Sequence, residues 1–154
     1  MTAMPRLEPL MRITIDVGDI VSLGATPAGE RRMVAIQGGR FEADDGWRGA
    51  VLSGGADWQW LRADSVLEVD ARYVLVDGQG ARVQVISQGL RHGPAEVMAA
   101  LARGESPDPS TYYFRTAMRF ESSAVHLLHL NRLLAIGVGE RRARQVLLSV
   151  FALA

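Results

Sequence analysis

Cysteine and lysine are both absent from this sequence of 154 residues, and each absence excludes a kind of chemistry. Without cysteine there is no disulfide framework, thiolate nucleophile, iron–sulfur cluster or thiol zinc site. Without lysine there is no internal Schiff base, and the lysine of a phosphate-binding P-loop is missing as well. We therefore expect neither a metal nor a cofactor.

Net charge and long apolar runs are lacking too. The 17 basic residues, all arginine, balance 17 acidic ones, so we expect no nucleic-acid partner. No stretch approaches the roughly 20 apolar residues that cross a bilayer, and the first residues carry no signal-peptide run. We expect a cytoplasmic protein without a membrane partner. Its length and ordinary composition predict one domain over residues 1–154.

Alternation of apolar and polar residues is the dominant pattern. Met11, Ile13, Ile15 and Val17 alternate with polar residues, as is typical of a half-buried strand. Asp77–Gly78 between two alternating arms predicts a hairpin. The full set of predicted strands is 11–17, 31–37, 47–53, 57–62, 66–76, 81–88, 111–121, 130–138 and 146–153.

One short helix interrupts the strands. Pro94 suits the first helical position and Gly104 suits the position after the last turn. About nine strands and one helix predict an all-β fold, either a sandwich or a barrel. We favour a single β-barrel, because closure removes exposed strand edges.

The strand 66–76 carries an ionic stripe. Glu68, Asp70 and Arg72 share one face, opposite an apolar face. In one interpretation they form a solvated outer surface with a weak ion pair. In the other they line a barrel lumen, where burial and neighbouring charge shift the carboxyl pKa and the set serves as acid, base and anion clamp.

Two further candidate faces are aromatic. Tyr113 and Arg115 share one side of strand 111–121, where a phenol could donate to an oxyanion while the guanidinium holds a carboxylate. The alternative is again a polar outer face. Trp58 and Trp60 share a face opposite a carboxylate and an amide, and could line a flat-ligand pocket or simply belong to the core.

The three histidines give weaker signals. His92 lies in the loop before the helix, where an imidazole could act near neutral pH. His126 and His129 are three residues apart, which places them together on a helix but on opposite faces of a strand. No acidic residues stand close to them in the sequence, so we do not expect a metal site.

Several longer strings resemble a known bacterial family. They are Gly38-Gly-Arg-Phe41, Gly54-Gly-Ala-Asp-Trp-Gln59, Glu68-Val-Asp-Ala-Arg-Tyr73, Arg91-His-Gly-Pro94, Asp108-Pro-Ser-Thr-Tyr-Tyr-Phe-Arg115, Arg119-Phe-Glu121, Leu130-Asn131 and Gly139-Glu-Arg-Arg142. Over about residues 26–142 the chain resembles the proteins grouped as domain of unknown function 3237, or uncharacterised protein family 0311. The resemblance implies a single closed antiparallel β-barrel with one short α-helix, in a soluble protein that forms a homo-oligomer. It implies no catalytic set.

Three positions depart from the family's pattern. Gln84 stands where the family usually has tyrosine, Ser87 where it has asparagine, and His129 where it has tryptophan. If these positions line the lumen, the pocket is more polar and less aromatic than in the relatives.

The leading functional hypothesis is a cofactor-independent isomerase, cyclase or lyase. Its substrate is a small planar or polyunsaturated carbonyl or carboxylate compound, held in one reactive conformation. The predicted catalytic residues are Asp70 or Glu68 as base and Tyr113 or His92 as acid or oxyanion donor. The predicted substrate-binding residues are Arg72, Arg115, Trp58, Trp60, Asn131 and His129. The alternatives are a non-catalytic ligand-binding barrel and a structural oligomer with 146–151 at the interface. Both catalytic and binding hypotheses require the two ionic stripes to face an enclosed hollow.

Overall fold

Strands dominate the computed structural model, which describes residues 2–154. One helix, α1 (Ala95–Ala102), and two 3₁₀ segments, Pro109–Thr111 and Val125–Arg132, interrupt them. The nine strands are β1 (Leu7–Thr26), β2 (Gly29–Ala43), β3 (Arg48–Val51), β4 (Gly55–Leu61), β5 (Leu67–Asp77), β6 (Arg82–His92), β7 (Tyr113–Glu121), β8 (Leu134–Arg141) and β9 (Gln145–Leu153). The predicted all-β class with one short helix is confirmed.

Hydrogen bonds between the strands run in a closed ring. All pairings are antiparallel, in the order β1-β9-β8-β7-β6-β5, and β2 returns the ring to β1. The short strands β3 and β4 both lie between β5 and β2. The predicted closed antiparallel β-barrel is therefore confirmed, and closure pairs the backbone groups that an open sheet would expose at its edges.

The first hairpin is longer than the sequence pattern indicates, because a bulge bends β2 without ending it. The register of β1 with β2 shifts between Asp16 and Val17, opposite Gly38–Gly39. Gly39 has φ 137°, and a Cβ there would collide with the carbonyl oxygen of Thr14. The glycine pair thus marks a bulge inside a continuous strand.

One end of the barrel is closed by the segment Val125–Arg132. Its Leu127 and Leu130 are buried, so residues 130–133, predicted as the start of a strand, belong to the cap and its exit. The apolar run fits a short buried helix as well as a strand, and periodicity alone cannot separate the two. At the other end α1 packs its buried Leu101 against the rim, with Pro94 at the N-cap rather than at the first helical position.

The interior of the barrel has two unlike halves. The half under Val125–Arg132, here called the packed half, is filled by side chains that are almost completely buried. They are Met11, Ile13, Phe41, Leu75, Val83, Val85, Met118, Phe120 and Val150. The half towards α1, here called the polar half, contains a cavity. No helix within residues 2–154 combines the length and the apolar character that a membrane crossing needs.

Candidate functional site

The polar half encloses a cavity of about 40 Å³. Its apolar walls come mainly from β1, β2 and β9, which contribute side chains such as Ile15, Val34 and Leu148. The polar lining residues are Asp57, Gln59, Tyr73, Ser87, Arg91, Thr116 and Arg141. These seven side chains come from five strands, β4 to β8, so the site exists only when the barrel is closed.

The strand β4 contributes a carboxylate and an amide to the cavity, because alternate side chains of a strand point to the same side. Asp57 and Gln59 point inward, and the intervening Trp58 points outward. One oxygen of Asp57 accepts a hydrogen bond from the backbone N–H of Asp70 at 2.9 Å, and the other accepts one from Gln59 Nε2 at 2.7 Å. The Gln59 amide is thereby oriented with its Oε1 free of a protein partner.

Two guanidiniums face this carboxylate from the ends of β6 and β8. Arg91 is 7% exposed, and Arg141 lines the same cavity. Within residues 2–154 neither takes part in an ion pair at hydrogen-bonding distance. The cavity therefore holds two cationic side chains beside one carboxylate.

The pKa values reflect this burial and crowding. Burial raises the pKa of Asp57, although its hydrogen bonds from Gln59 and from the Asp70 backbone, and the charge of Arg91, oppose the shift. Burial, and then the neighbouring Arg141, lowers the pKa of Arg91 to about 10. Burial also lowers the pKa of Arg141 and raises the pKa of the Tyr73 phenol. At neutral pH the arginines stay charged and the phenol stays protonated.

Buried polar atoms without a protein partner are concentrated at this cavity. Such atoms within residues 2–154 number six, and five of them belong to cavity-lining residues. The five are Gln59 Oε1, Tyr73 Oη, Arg91 Nε, Thr116 Oγ1 and Arg141 Nη1. Because buried polar groups are normally hydrogen-bonded, this set favours an occupant with polar atoms of its own.

The arrangement has a definite chemical character. The guanidinium, phenol and hydroxyl groups can donate hydrogen bonds, whereas Gln59 Oε1 and Asp57 can accept them. Donors in a shielded cavity stabilise negative charge there, and burial shifts the pKa of the Asp57 carboxyl above its ordinary value. In residues 2–154 no group of three or more histidine, cysteine, aspartate or glutamate side chains is arranged to hold a metal.

Of the two interpretations of the β5 stripe, the barrel lumen is wrong and the solvated outer surface is correct. Glu68, Asp70 and Arg72 lie on the outside of the barrel, because Leu67, Val69 and Tyr73 fill the inside. Asp70 and Arg72 approach to only 3.9 Å, and the Arg72 side chain is 57% exposed. They form the weak surface pair of the first interpretation, and the proposed base and anion clamp lack an enclosed site here.

The second stripe is on the outside as well. Tyr113 is 44% exposed and stacks on His92, with ring centroids 4.8 Å apart. Arg115 lies over the Tyr113 ring, and Phe114 and Thr116 occupy the inward positions. Sequence alternation correctly separates the two faces of β7, but the apolar face with Thr116 is the one that reaches the cavity.

Trp58 and Trp60 do not line the cavity either. They hold the guanidinium of Arg31 on the outer surface, at 5.4 and 3.4 Å from the two ring centroids. A cation–π contact of this kind stabilises an exposed site modestly. The two tryptophans therefore pack against a neighbouring strand and have no contact with the enclosed site.

Asn131 and His129 lie at the far end, in the 3₁₀ cap. The Asn131 side chain binds the backbone N–H and carbonyl of Ser122 at 3.0 and 2.9 Å, which fixes the loop before the cap. His129 is exposed. Of the three positions that depart from the family's pattern, Ser87 lines the cavity, whereas Gln84 and His129 do not.

A sequence signal for the true cavity residues does exist. Thr116 interrupts the apolar face of β7, and Tyr73 interrupts the aliphatic face of β5 between Ala71 and Leu75. Asp57 and Gln59 lie opposite two tryptophans. Isolated polar groups on otherwise apolar faces mark sites where packing is not optimised. Arg91 and Arg141 occur within the strings that carry the family resemblance, but neither was a candidate on residue type alone.

Fold and site together define a class: a small closed β-barrel with a cavity at one end, in which two guanidiniums and a carboxylate lie among apolar walls. The family described as "Protein of unknown function (DUF3237)" matches residues 5–153. The chain belongs to this family. It is 38% identical over 148 residues to the UPF0311 protein RPA1785 of Rhodopseudomonas palustris, across 95% of this chain and 96% of the relative.

Solved structures support the assignment. The crystal structure of RPA1785, a conserved protein of unknown function, matches with a TM-score of 0.92 at 34% identity over 100% of both chains. A beta-barrel like protein from Acinetobacter baumannii matches with a TM-score of 0.86 at 35% identity, over 100% of this chain and 99% of the other. An enzyme from Penicillium herquei shares the fold, with a TM-score of 0.75 at 18% identity over 100% and 98% of the two chains.

Proposed function

We propose that this protein is a cofactor-independent acid–base enzyme, an isomerase or cyclase, that acts on a small enolisable carbonyl or carboxylate compound. The observation that carries the proposal is the cavity in the polar half, where Arg91 and Arg141 outnumber the single carboxylate of Asp57. Leaving a positive charge buried and unpaired is costly. An anionic group on the ligand would offset that cost and would give the unpartnered donors their hydrogen bonds.

Asp57 takes the role that the sequence hypothesis gave to Asp70 or Glu68. Its raised pKa makes the ionised carboxylate a better base than an exposed aspartate. It accepts a proton from the carbon beside a substrate carbonyl, and the electron pair of that C–H bond moves onto the carbonyl oxygen. The proton then returns to another carbon, so that atoms and electrons balance without a redox partner.

The negative charge that develops on the carbonyl oxygen is stabilised by hydrogen bonds from Arg91, Arg141 and Tyr73. Arg91 Nε, Arg141 Nη1 and Tyr73 Oη are buried donors without a protein partner. Donors that are fixed before the reaction stabilise an enolate without reorganising during it. A fold neighbour from Penicillium herquei is described as an enzyme, which supports catalysis on this scaffold, although a fold by itself does not assign a reaction.

Phenylpyruvate is a suitable probe, because it joins a carboxylate to an enolisable ketone. We expect wild-type protein to accelerate exchange of its benzylic protons in D2O, followed by NMR. Asp57→Asn removes the base and should lower the protein-dependent rate about 100-fold. The matched control is Asp70→Asn, an aspartate on the outer surface, which should change the rate less than twofold. Exchange no faster than in buffer, or an unaffected Asp57→Asn variant, would contradict the catalytic proposal.

Binding of the same probe separates an enzyme from a ligand-binding protein. Arg141→Met removes one charged donor and should weaken phenylpyruvate binding at least tenfold, as measured by titration. Arg115→Met, on the outer surface, is the control. Tight binding that depends on Arg141 without any exchange would favour the alternative of a non-catalytic ligand-binding barrel.

A further inference from the structure

A second cavity lies beside the polar half, beneath α1. Its volume is about 280 Å³, and it is here called the outer chamber. Its walls are largely apolar and come from β1, the β4–β5 connection and α1. The wall residues that matter below are Ile20, Leu61, Leu67, Ala95, Met98 and Ala102. Arg91 lines both the outer chamber and the inner cavity, so one side chain joins the two spaces.

The inner cavity is too small to hold a whole substrate. Its 40 Å³ accommodates about three water molecules at ~10–15 Å³ each, which is the size of a carboxylate or an enolate group. Small-molecule sites are usually about 300 Å³ or more. A ligand whose charged head occupies the inner cavity must therefore place its body in a neighbouring space.

Three spaces adjoin the inner cavity, and their lining residues indicate which of them suits the body of the ligand. A groove next to Tyr73 is lined by glycine, serine and Arg72, and one next to Arg141 contains Asp19, Arg103 and Arg144. Both grooves suit a polar body. The outer chamber has mostly aliphatic walls, and its polar members besides Arg91 are Ser65 and Arg32, which is ion-paired with Glu30 at 2.7 Å. The bridging Arg91 guanidinium is buried with Nε unpartnered and lies 5.5 Å from the Phe114 ring.

We infer that the natural ligand is an amphipathic acid, with its anionic head among the polar groups of the inner cavity and an apolar body in the outer chamber under α1. The inference rests on the proposed function, because it takes the inner cavity as the anion site. Arg91 lies between the two parts and contacts the head, and α1 forms the wall that limits the size of the body. Ala95 and Ala102 keep this wall thin, since larger side chains would project into the chamber.

Straight-chain carboxylates from acetate to decanoate test the inference by calorimetric or NMR titration. Complete burial of one methylene strengthens binding up to about fourfold. We expect affinity to rise with chain length until the chamber is filled and then to level off. Ala102→Phe, which narrows the chamber, should weaken octanoate at least tenfold and change acetate less than twofold. Met98→Ala, which enlarges it, should move the plateau to longer acids.

The control for these variants is Ala99→Leu, an exposed position of α1 that does not line the chamber. An affinity that does not depend on chain length would overturn the inference but leave the anion site intact, provided that acetate binding still depends on Arg141. If Ala102→Phe abolished acetate binding as well, α1 would act on the head group and a separate outer chamber would be contradicted. Failure of every acid to bind wild-type protein would instead overturn the proposed function.

Discussion

The packed half and the polar half of the barrel are built by the same strands with the same alternation, yet they follow opposite rules. Leu75, Val83 and Val85 in the packed half are 0% exposed and belong to the large hydrophobic core. In the polar half the corresponding inward positions include Tyr73, Ser87 and Arg91, and both Tyr73 and Arg91 have unpartnered polar atoms. The packed half supplies stability, and the polar half sacrifices some of it, as functional sites commonly do.

Two buried aspartates show the same contrast. Asp77, at the packed end, accepts hydrogen bonds from His126 Nε2, Trp47 Nε1 and two backbone N–H groups, and these bonds lower its pKa to about 2. Asp57, in the polar half, has fewer donors and a raised pKa because burial dominates. The surroundings of Asp77 favour its ionised form, whereas burial of Asp57 favours its protonated form.

The largest loss of stability is expected from a substitution that creates a cavity in the packed half. Leu75→Ala removes a completely buried side chain from a filled space and should lower the free energy of unfolding by about 4 kcal/mol. Leu148→Ala enlarges a cavity that already exists, so we expect a loss nearer ~2 kcal/mol. Urea unfolding measures both. Equal losses, or a larger loss at Leu148, would show that the two halves pack alike.

Asp77→Asn should lower the free energy of unfolding by about 2 kcal/mol at neutral pH, because the hydrogen bonds that the Asp77 carboxylate accepts lose its charge. The folded pKa lies below the unfolded value of 3.8, so the carboxylate stabilises the fold above about pH 4 and loses that effect as the pH falls towards 2. Wild-type stability should therefore decline over this interval, and Asp77→Asn should flatten the decline. Asp19→Asn, on a side chain 86% exposed, is the control. An unchanged pH profile in Asp77→Asn would show that the network is not formed.

The smallest change in stability is expected from Asp57→Asn, and here we expect a gain where the other variants lose stability. A folded pKa above the unfolded one means that the stability contribution is greatest at low pH and is lost as the pH rises through the folded pKa. Removing the charge should therefore raise stability at pH 7 slightly and weaken the dependence of stability on pH. Thermal melts from pH 4 to 8 give the comparison. Destabilisation at pH 7 would indicate that the two hydrogen bonds of Asp57 outweigh its desolvation.

The fold was largely accessible from local patterns, and the site only in part. Alternation correctly divided β4, β5 and β7 into two faces each, and Asp77–Gly78 correctly placed a hairpin. Period-two alternation states which residues share a face, but it does not state which face lies inside when both contain polar groups. The sequence left two orientations open for the charged faces, and the catalytic hypothesis needed them in the lumen. In the structure Tyr73, Thr116 and Asp57, on the other faces, form the cavity.

Residues 130–133 illustrate a second limit. Their leucines fit a strand and a short cap equally well, and the hydrogen bonds of Asn131 to Ser122, nine residues away, fix the choice. Short-range sequence patterns cannot predict this contact, because it depends on where the loop around Ser122 lies in the folded chain.

The sequence by itself determined the composition-based exclusions, the strands, the short helix and the family, because these depend on residue type and near-neighbour spacing. Tertiary structure alone decided that Asp57, Arg91 and Arg141 meet in one cavity, since they lie on β4, β6 and β8 and come together only when the ring of strands closes. It also decided the raised pKa of Asp57, because burial is a property of the closed barrel and not of the strand that carries the residue.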